Sequence, residues 1–213
     1  MTTLYIHGFA STGATSKVDQ LREILGPDEE VIAPTLTHCP FNDIETLCDI
    51  IESSKVKTVV GSSLGGFYAI ALAQRYDLRV VLINPALDPA TTLEPMIGTV
   101  KVYGTNTEFT WGRPQLRELD ALSYMVEAAI QLETSELTWP NVLILLAEKD
   151  ELLDSHVTAA RFSLAKVIMD PNEDHRFGSM YPYAEEIRRI SKQPSVTPDS
   201  VDADNIRPLR LVP

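Results

Sequence analysis

Short unbroken apolar runs alternate along this chain with longer stretches whose apolar positions recur every three or four residues. The runs are Leu4–Ile6, Glu30–Ala33, Thr58–Gly61, Arg79–Ile83, Val142–Ala147 and Lys166–Met169. Each is strand-length, and none alternates with polar residues, as expected of strands covered on both faces. Between them, Val18, Leu21, Ile24 and Leu25 share one helical face in a helix over Asp19–Leu25. Ile44, Leu47, Cys48 and Ile51 do the same over residues 43–54. Leu64–Tyr76, Gln115–Leu132, Val157–Leu164 and Tyr183–Ser191 complete the helical segments. Gly26-Pro27 and Pro34 punctuate the first helix and second strand. Strand and helix in alternation predict an α/β class: a six-stranded, mostly parallel, doubly wound sheet with right-handed crossovers.

Two regions depart from this rhythm. Residues 85–140 are broken by Pro85, Pro89, Pro95 and Pro114 and are expected to be irregular, with 85–115 shaping a binding site. From Lys192 to Pro213, Pro, Ser and Asp dominate until Ile206. That composition predicts an extension (192–213) outside a single domain spanning 1–191. Ile206, Leu209, Leu211 and Val212 could dock its end on a neighbouring surface.

The chemistry gathers at strand ends. Gly61-Ser62-Ser63-Leu64-Gly65 fits G-x-S-x-G, directly after an apolar strand and at the head of a helix. Such a serine needs a tight strand-to-helix turn, and side chains two residues to either side would collide across it. The Leu64 N–H, at the helix start, would face developing negative charge. His7-Gly8-Phe9 ends the first strand, so the Phe9 N–H is a second oxyanion donor candidate. For Phe9 to reach Ser63, the third strand must lie beside the first, which predicts the sheet order 2-1-3-4-5-6.

A serine nucleophile needs a base, and the base needs an orienting acid. Of four histidines, His7 reads as a structural residue holding the first loop. His38 follows strand two, and His156 lies at a helix start. His175 follows the sixth strand and so faces the same sheet edge as Ser63. For the acid, Asp150 is the first carboxylate past the turn after strand five, with Asp154 second and Glu148 third. The chain order Ser63, Asp150, His175 is one a strand-order argument supports. Phe9, Gly8, Phe41, Tyr68 and Trp111 are candidate pocket walls. His38, Cys39 and Cys48 match no zinc spacing. The serine loop lacks the lysine of a phosphate-binding loop, and no GxGxxG is present.

Composition narrows the function classes. Thirty acidic against eighteen basic residues leave a net charge of −12, with 44% apolar residues among 213. An acidic chain argues against nucleic acid, which binds basic surface, and against anionic lipid. It would also repel a polyanionic ester such as an acyl-CoA at long range, unless a local cluster such as Arg113 and Arg117 reversed the field. No run approaches the length of a membrane span, and the first eight residues lack the basic and apolar regions of a secretion signal. Two cysteines, Cys39 and Cys48, are too few for a disulfide scaffold and read as reduced thiols of a cytoplasmic protein.

The chain resembles the small bacterial YqiA-type esterases of the α/β-hydrolase superfamily. The matching blocks are Leu4–Phe9, Gly61–Ala69, Ile83-Asn84-Pro85-Ala86, Asp150–Asp154 and Asp174-His175-Arg176-Phe177, across about residues 3–190. The loop before His175 reads Asn172-Glu173-Asp174 where glycines are expected. The resemblance implies an α/β-hydrolase fold with little or no lid domain and hydrolysis of carboxylic esters or thioesters. Carried over, Ser63 is nucleophile, Asp150 acid and His175 base. No cofactor or metal is implied, and the partner is a small-molecule ester or thioester. The rival readings are a serine hydrolase of amide bonds and a non-catalytic binding protein on the same scaffold.

Overall fold

A computed structural model describes residues 1–132, 141–162 and 165–193. In chain order the elements are β1 (Thr2–Ile6), α1 (Ser16–Leu25), β2 (Glu30–Ile32), α2 (Pro40–Ser53), β3 (Thr58–Ser62), α3 (Leu64–Arg75), β4 (Arg79–Ile83) and α4 (Pro89–Thr92). They continue with β5 (Gly98–Lys101), β6 (Glu108–Trp111), α5 (Arg113–Leu132), β7 (Val142–Lys149), α6 (Ser155–Arg161), β8 (Lys166–Asp174) and α7 (Ala184–Lys192). Six strands form one parallel sheet in the order β2-β1-β3-β4-β7-β8, so β3 lies beside β1 as expected.

The unbroken apolar runs are explained by the two layers. Tyr5, Val60, Val81, Ile83, Leu143 and Leu145 point to one face and pack against Val18, Leu21 and Ile24 of α1 and Ile187 and Ile190 of α7. Leu4, Ile6, Val59, Val80, Leu82, Ile144 and Leu146 point to the other. They meet Ile44 and Leu47 of α2, Phe67 and Ile70 of α3, and Leu119, Leu122 and Val126 of α5. Each such side chain is nearly fully buried and contributes about 1.5–3 kcal/mol of apolar transfer.

Two expectations need correction. Residues 85–140 are not merely irregular: β5 and β6 form an antiparallel hairpin, with Gly104 at φ 73 in its turn. Its pattern is period two, with Val100 and Trp111 buried and Thr99, Lys101, Glu108 and Thr110 exposed. Pro89 and Pro114 lie in the first turns of α4 and α5, and Pro95 lies in a short 3₁₀ turn over Glu94–Met96, while Pro85 follows β4 outside any element. Pro89 opens α4, which Asp88 caps by accepting from the Thr91 N–H at 3.2 Å. The last strand also runs to Asp174, through Pro171. β8 is the sheet edge, where a missing N–H costs no ladder bond. A register shift against β7 between Ala147 and Lys149 absorbs extra residues of β8 there. From residue 194 onward the expected extension lies outside the described residues, as do the docking positions Ile206, Leu209, Leu211 and Val212.

Candidate active site

Ser63 sits between β3 and α3 at φ 54 and ψ −119, a backbone conformation that non-glycine residues adopt only under constraint. Its neighbours impose that constraint. The Ser63 N–H donates to Ile83 O at 2.9 Å, and Ser63 O accepts from the Gly66 and Ala86 N–H groups at 2.8 and 3.1 Å. The flanking glycines allow it. A Cβ on Gly61 would stand 2.3 Å from Gly65 O, and one on Gly65 would stand 2.1 Å from Ile6 O. The start of α3 therefore presses against both β3 and β1, which leaves the Ser63 side chain standing out at the strand end.

His175 Nε2 lies 3.0 Å from Ser63 Oγ. Its Nδ1 lies 3.0 and 2.8 Å from the two Asp150 oxygens. Burial works to raise the Asp150 carboxyl, but hydrogen bonds from His175 and from the Leu152 and Leu153 N–H groups, both at 2.9 Å, hold it below its ordinary value. An ionised Asp150 only accepts, so Nδ1 carries the proton and the Nε2 lone pair faces Ser63. The loop bearing His175 is held by carboxylates where glycines were expected. Glu151 accepts from the His175 N–H at 3.1 Å, Asp174 from Arg176 N–H at 2.9 Å, and Glu173 from Gly178 and Ser179 N–H at 2.6 and 3.1 Å.

Asn84 ties this loop to the sheet. It is 2% exposed at φ 43. Its Nδ2 donates to the carbonyls of Asp174 and His175, both at 3.1 Å, and its Oδ1 accepts from Ala147 N–H at 2.8 Å. One side chain thus joins the ends of β4, β7 and β8. An asparagine directly after a strand is the only signal of this role in the sequence, because asparagine tolerates a positive φ.

The rivals lie elsewhere. Asp154 caps α6, accepting from His156 and Val157 N–H at 3.0 Å each. Glu148 and His156 are exposed. His7 is buried and neutral. Its Nε2 accepts from Leu36 N–H at 2.9 Å and its Nδ1 donates to Gly8 O at 2.8 Å, while burial lowers its pKa against the effect of that Gly8 bond.

A cavity of about 330 Å³ opens over Ser63 and His175. Gly8, Phe9 and Leu64 are among the residues that line it. Tyr68 and Trp111 do not: each is 1% exposed in the core. Tyr68 lies on the inner face of α3. Trp111 stands behind Phe9, ring centroids 4.8 Å apart, and donates Nε1–H to Leu93 O at 3.1 Å. Phe41 packs against the core, partly buried. The apolar wall is instead Ala86, Pro89, Leu93, Met96, Leu152 and Leu153. Arg113 and Arg117 are exposed on α5 and not among the lining residues, whereas Lys17 and Arg176 are.

Cys39 and Cys48 are both free. Among the described residues no helix is long and apolar enough to cross a membrane.

Comparison with known proteins bears on family and fold. A family model described as "Uncharacterised protein family (UPF0227)" matches residues 2–192. The chain belongs to that family. A UPF0227 protein of Serratia proteamaculans is 26% identical over 200 residues, covering 90% of this chain and 99% of its own. The UPF0227 protein YcfP of Salmonella paratyphi A is 25% identical, covering 87% and 96%. Among solved structures, Est1E from Butyrivibrio proteoclasticus, with ferulic acid bound, superposes with a TM-score of 0.65 at 14% identity, over 88% of this chain and 86% of its own. The esterase domain of a Rhodothermus marinus protein gives 0.62 at 17%, over 89% and 84%. At such identities the likeness is one of fold, and that fold is the α/β-hydrolase fold.

Proposed function

We propose that this member of the UPF0227 family is a serine hydrolase of carboxylic esters or thioesters. The observation that carries the reading is the continuous hydrogen-bonded line from Asp150 through His175 to a strained, cavity-facing Ser63. Ser63 Oγ attacks the acyl carbonyl while His175 Nε2 takes its proton. Asp150 orients the ring and stabilises the imidazolium. The Phe9 and Leu64 N–H groups hold the tetrahedral oxyanion. Collapse expels the alcohol or thiol, which takes the proton from His175, and leaves an acyl-enzyme. Water then repeats the attack, with His175 again as base, and frees the acid and Ser63. Its neighbours of known fold include esterases, which agrees with the reading.

A fluorophosphonate probe tests it in one step: stoichiometric labelling of the native chain, abolished by Ser63→Ala, is expected. Absence of labelling with a folded protein refutes it. 4-Nitrophenyl esters set against the matching anilides and thioesters then divide the bond classes.

A further inference from the structure

The cavity wall runs against the composition of the chain. Acidic residues outnumber basic ones 30 to 18 overall, yet the lining contains Lys17 and Arg176 and no Asp or Glu. The two cations come from opposite ends of the sequence: Lys17 from the first turn of α1, Arg176 from the loop that carries His175. They are joined directly, because Lys17 Nζ donates to Arg176 O. That bond occupies one of three ammonium donors. The Arg176 guanidinium lies over the Tyr103 ring, 5.3 Å from its centroid, at the tip of the β5–β6 hairpin. Glu173 and Asp174 lie close enough to attract Lys17 but are engaged by backbone donors, Glu173 accepting from Gly178 and Ser179 N–H and Asp174 from Arg176 N–H, and neither lines the cavity. Across the cavity, the segments after β4 and β7 offer only apolar or hydroxyl groups, chiefly Pro89, Leu93, Met96, Leu152 and Leu153.

We propose that the cavity takes an ester bearing an anionic group, a carboxylate or a phosphate, that Lys17 and Arg176 hold while the apolar wall takes a hydrocarbon portion. This deepens the hydrolase reading and rests on it. Cations set in a low-dielectric cleft focus the field on an incoming anion and offset the repulsion of a chain at −12. Burial lowers the Lys17 ammonium, against the pull of Glu173 and Asp174 and with the push of Arg176. A partly desolvated cation gains more from a counter-charge than a fully hydrated one.

The test uses pairs of substrates that differ by one anionic group. 4-Nitrophenyl hexanoate and the 4-nitrophenyl monoester of adipate place the carboxylate on the acyl end. Phenyl hexanoate, 4-carboxyphenyl hexanoate and 4-phosphonooxyphenyl hexanoate place a carboxylate or a phosphate on the leaving group. In at least one pair the anionic-to-neutral ratio of kcat/KM should fall about tenfold in Lys17→Gln and in Arg176→Gln, survive in Lys17→Arg, and decline with salt in the native chain. A ratio that neither variant changes in any pair overturns the proposal. The ratio cancels any general damage to the His175 loop. Calorimetric titration of Ser63→Ala with the same pairs decides the matter without turnover. About tenfold tighter binding of the anion in at least one pair supports the subsite even if no ester is cleaved and the hydrolase reading fails. Equal affinity in every pair, or no binding of any, overturns the subsite alone.

Discussion

The two ends of the parallel sheet carry backbone strain very differently. Among the described residues, six non-glycine positions have positive φ. Ala10, His38, Ser63, Asn84 and Phe177 follow the carboxyl ends of β1, β2, β3, β4 and β8. Lys55 alone lies at the amino end, between α2 and β3. A left-handed residue costs about 1–2 kcal/mol, so this distribution needs a cause. Three of the five at the carboxyl end are pinned by neighbours: Ser63 N–H by Ile83 O, Asn84 by three side-chain bonds, Phe177 N–H by Asp174 O at 3.0 Å. Strain held in place by surrounding structure marks sites where geometry matters more than stability. The amino end has turns that only reverse the chain, such as Gly26 at φ 86 with open space around its missing Cβ.

The largest test of this contrast is chemical. Ser63→Ala and His175→Ala should each lower kcat on a 4-nitrophenyl ester by about 10⁴–10⁶, and Asp150→Asn by up to about 10⁴. Double variants should lose little more than the worse single one, because the three act as a unit. Asp154→Asn, which loosens only the α6 cap, should stay within a few-fold of the native kcat. A dead Asp154→Asn beside an active Asp150→Asn would show that the orienting acid has been misassigned.

Next in size is Asn84. Asn84→Asp keeps an acceptor for Ala147 N–H but turns a carboxylate oxygen toward the carbonyls of Asp174 and His175. Misplacement of a catalytic base by about 1 Å is worth roughly 10² in rate, and kcat should fall by about that factor while fluorophosphonate still labels Ser63 slowly. Native kcat in Asn84→Asp would break the link between strain at this end and positioning of His175.

The same contrast explains what the sequence made legible. The juxtaposition of Ser63, Asp150 and His175 is legible because strand order fixes which loops share an edge, and glycines at 61 and 65 mark a turn that no other residue fits. Sheet order followed from the same logic. The pocket walls were not readable. Tyr68 and Trp111 are aromatics of a kind that line pockets, but a side chain's partner on a helix or hairpin depends on which layer covers it, and both are enclosed in the core. The β5–β6 hairpin is faint in sequence because its strands are only four residues long among prolines, although Val100, Phe109 and Trp111 alternate with polar neighbours. Lys17 and Arg176 are far apart in sequence, and only the fold of the His175 loop across α1 brings them together.

A smaller effect concerns pH. His38 stacks on Phe109 at 3.9 Å, and burial, reinforced by the neighbouring His7, pushes its pKa down to about 4. His7 is lowered by burial as well. In the unfolded chain both titrate near about 6.5. The unfolded state therefore binds more protons as pH falls below about 6.5, so the stabilisation is complete above that value and is lost progressively toward pH 4. The melting temperature should drop across this window. His38→Asn, which tolerates the φ of 64, should flatten the decline, leaving the share due to His7. An identical slope in the variant would mean that His38 does not report on this end of the sheet.

The smallest effect sets the two ends side by side. Lys55 is exposed at φ 50, and among its neighbours Ser54 N–H donates to Ile50 O and Val56 N–H to Ile51 O, so the backbone there closes a helix without help from the Lys55 side chain. Glycine adopts this φ at no steric cost, though it adds freedom to the unfolded chain. Lys55→Gly should therefore raise stability by up to about 1 kcal/mol, a shift of about 2–4 °C in melting temperature for a domain of this size, with kcat unchanged. Asn84→Gly relieves the same kind of strain at the other end but removes three hydrogen bonds, leaving Ala147 N–H and two loop carbonyls without their partner. It should lose both stability and turnover. Chemical denaturation and ester kinetics on the two variants give four numbers. If Lys55→Gly impairs turnover, or if Asn84→Gly is as stable and active as the native chain, the division between a turn that merely reverses the chain and a turn that positions chemistry does not hold.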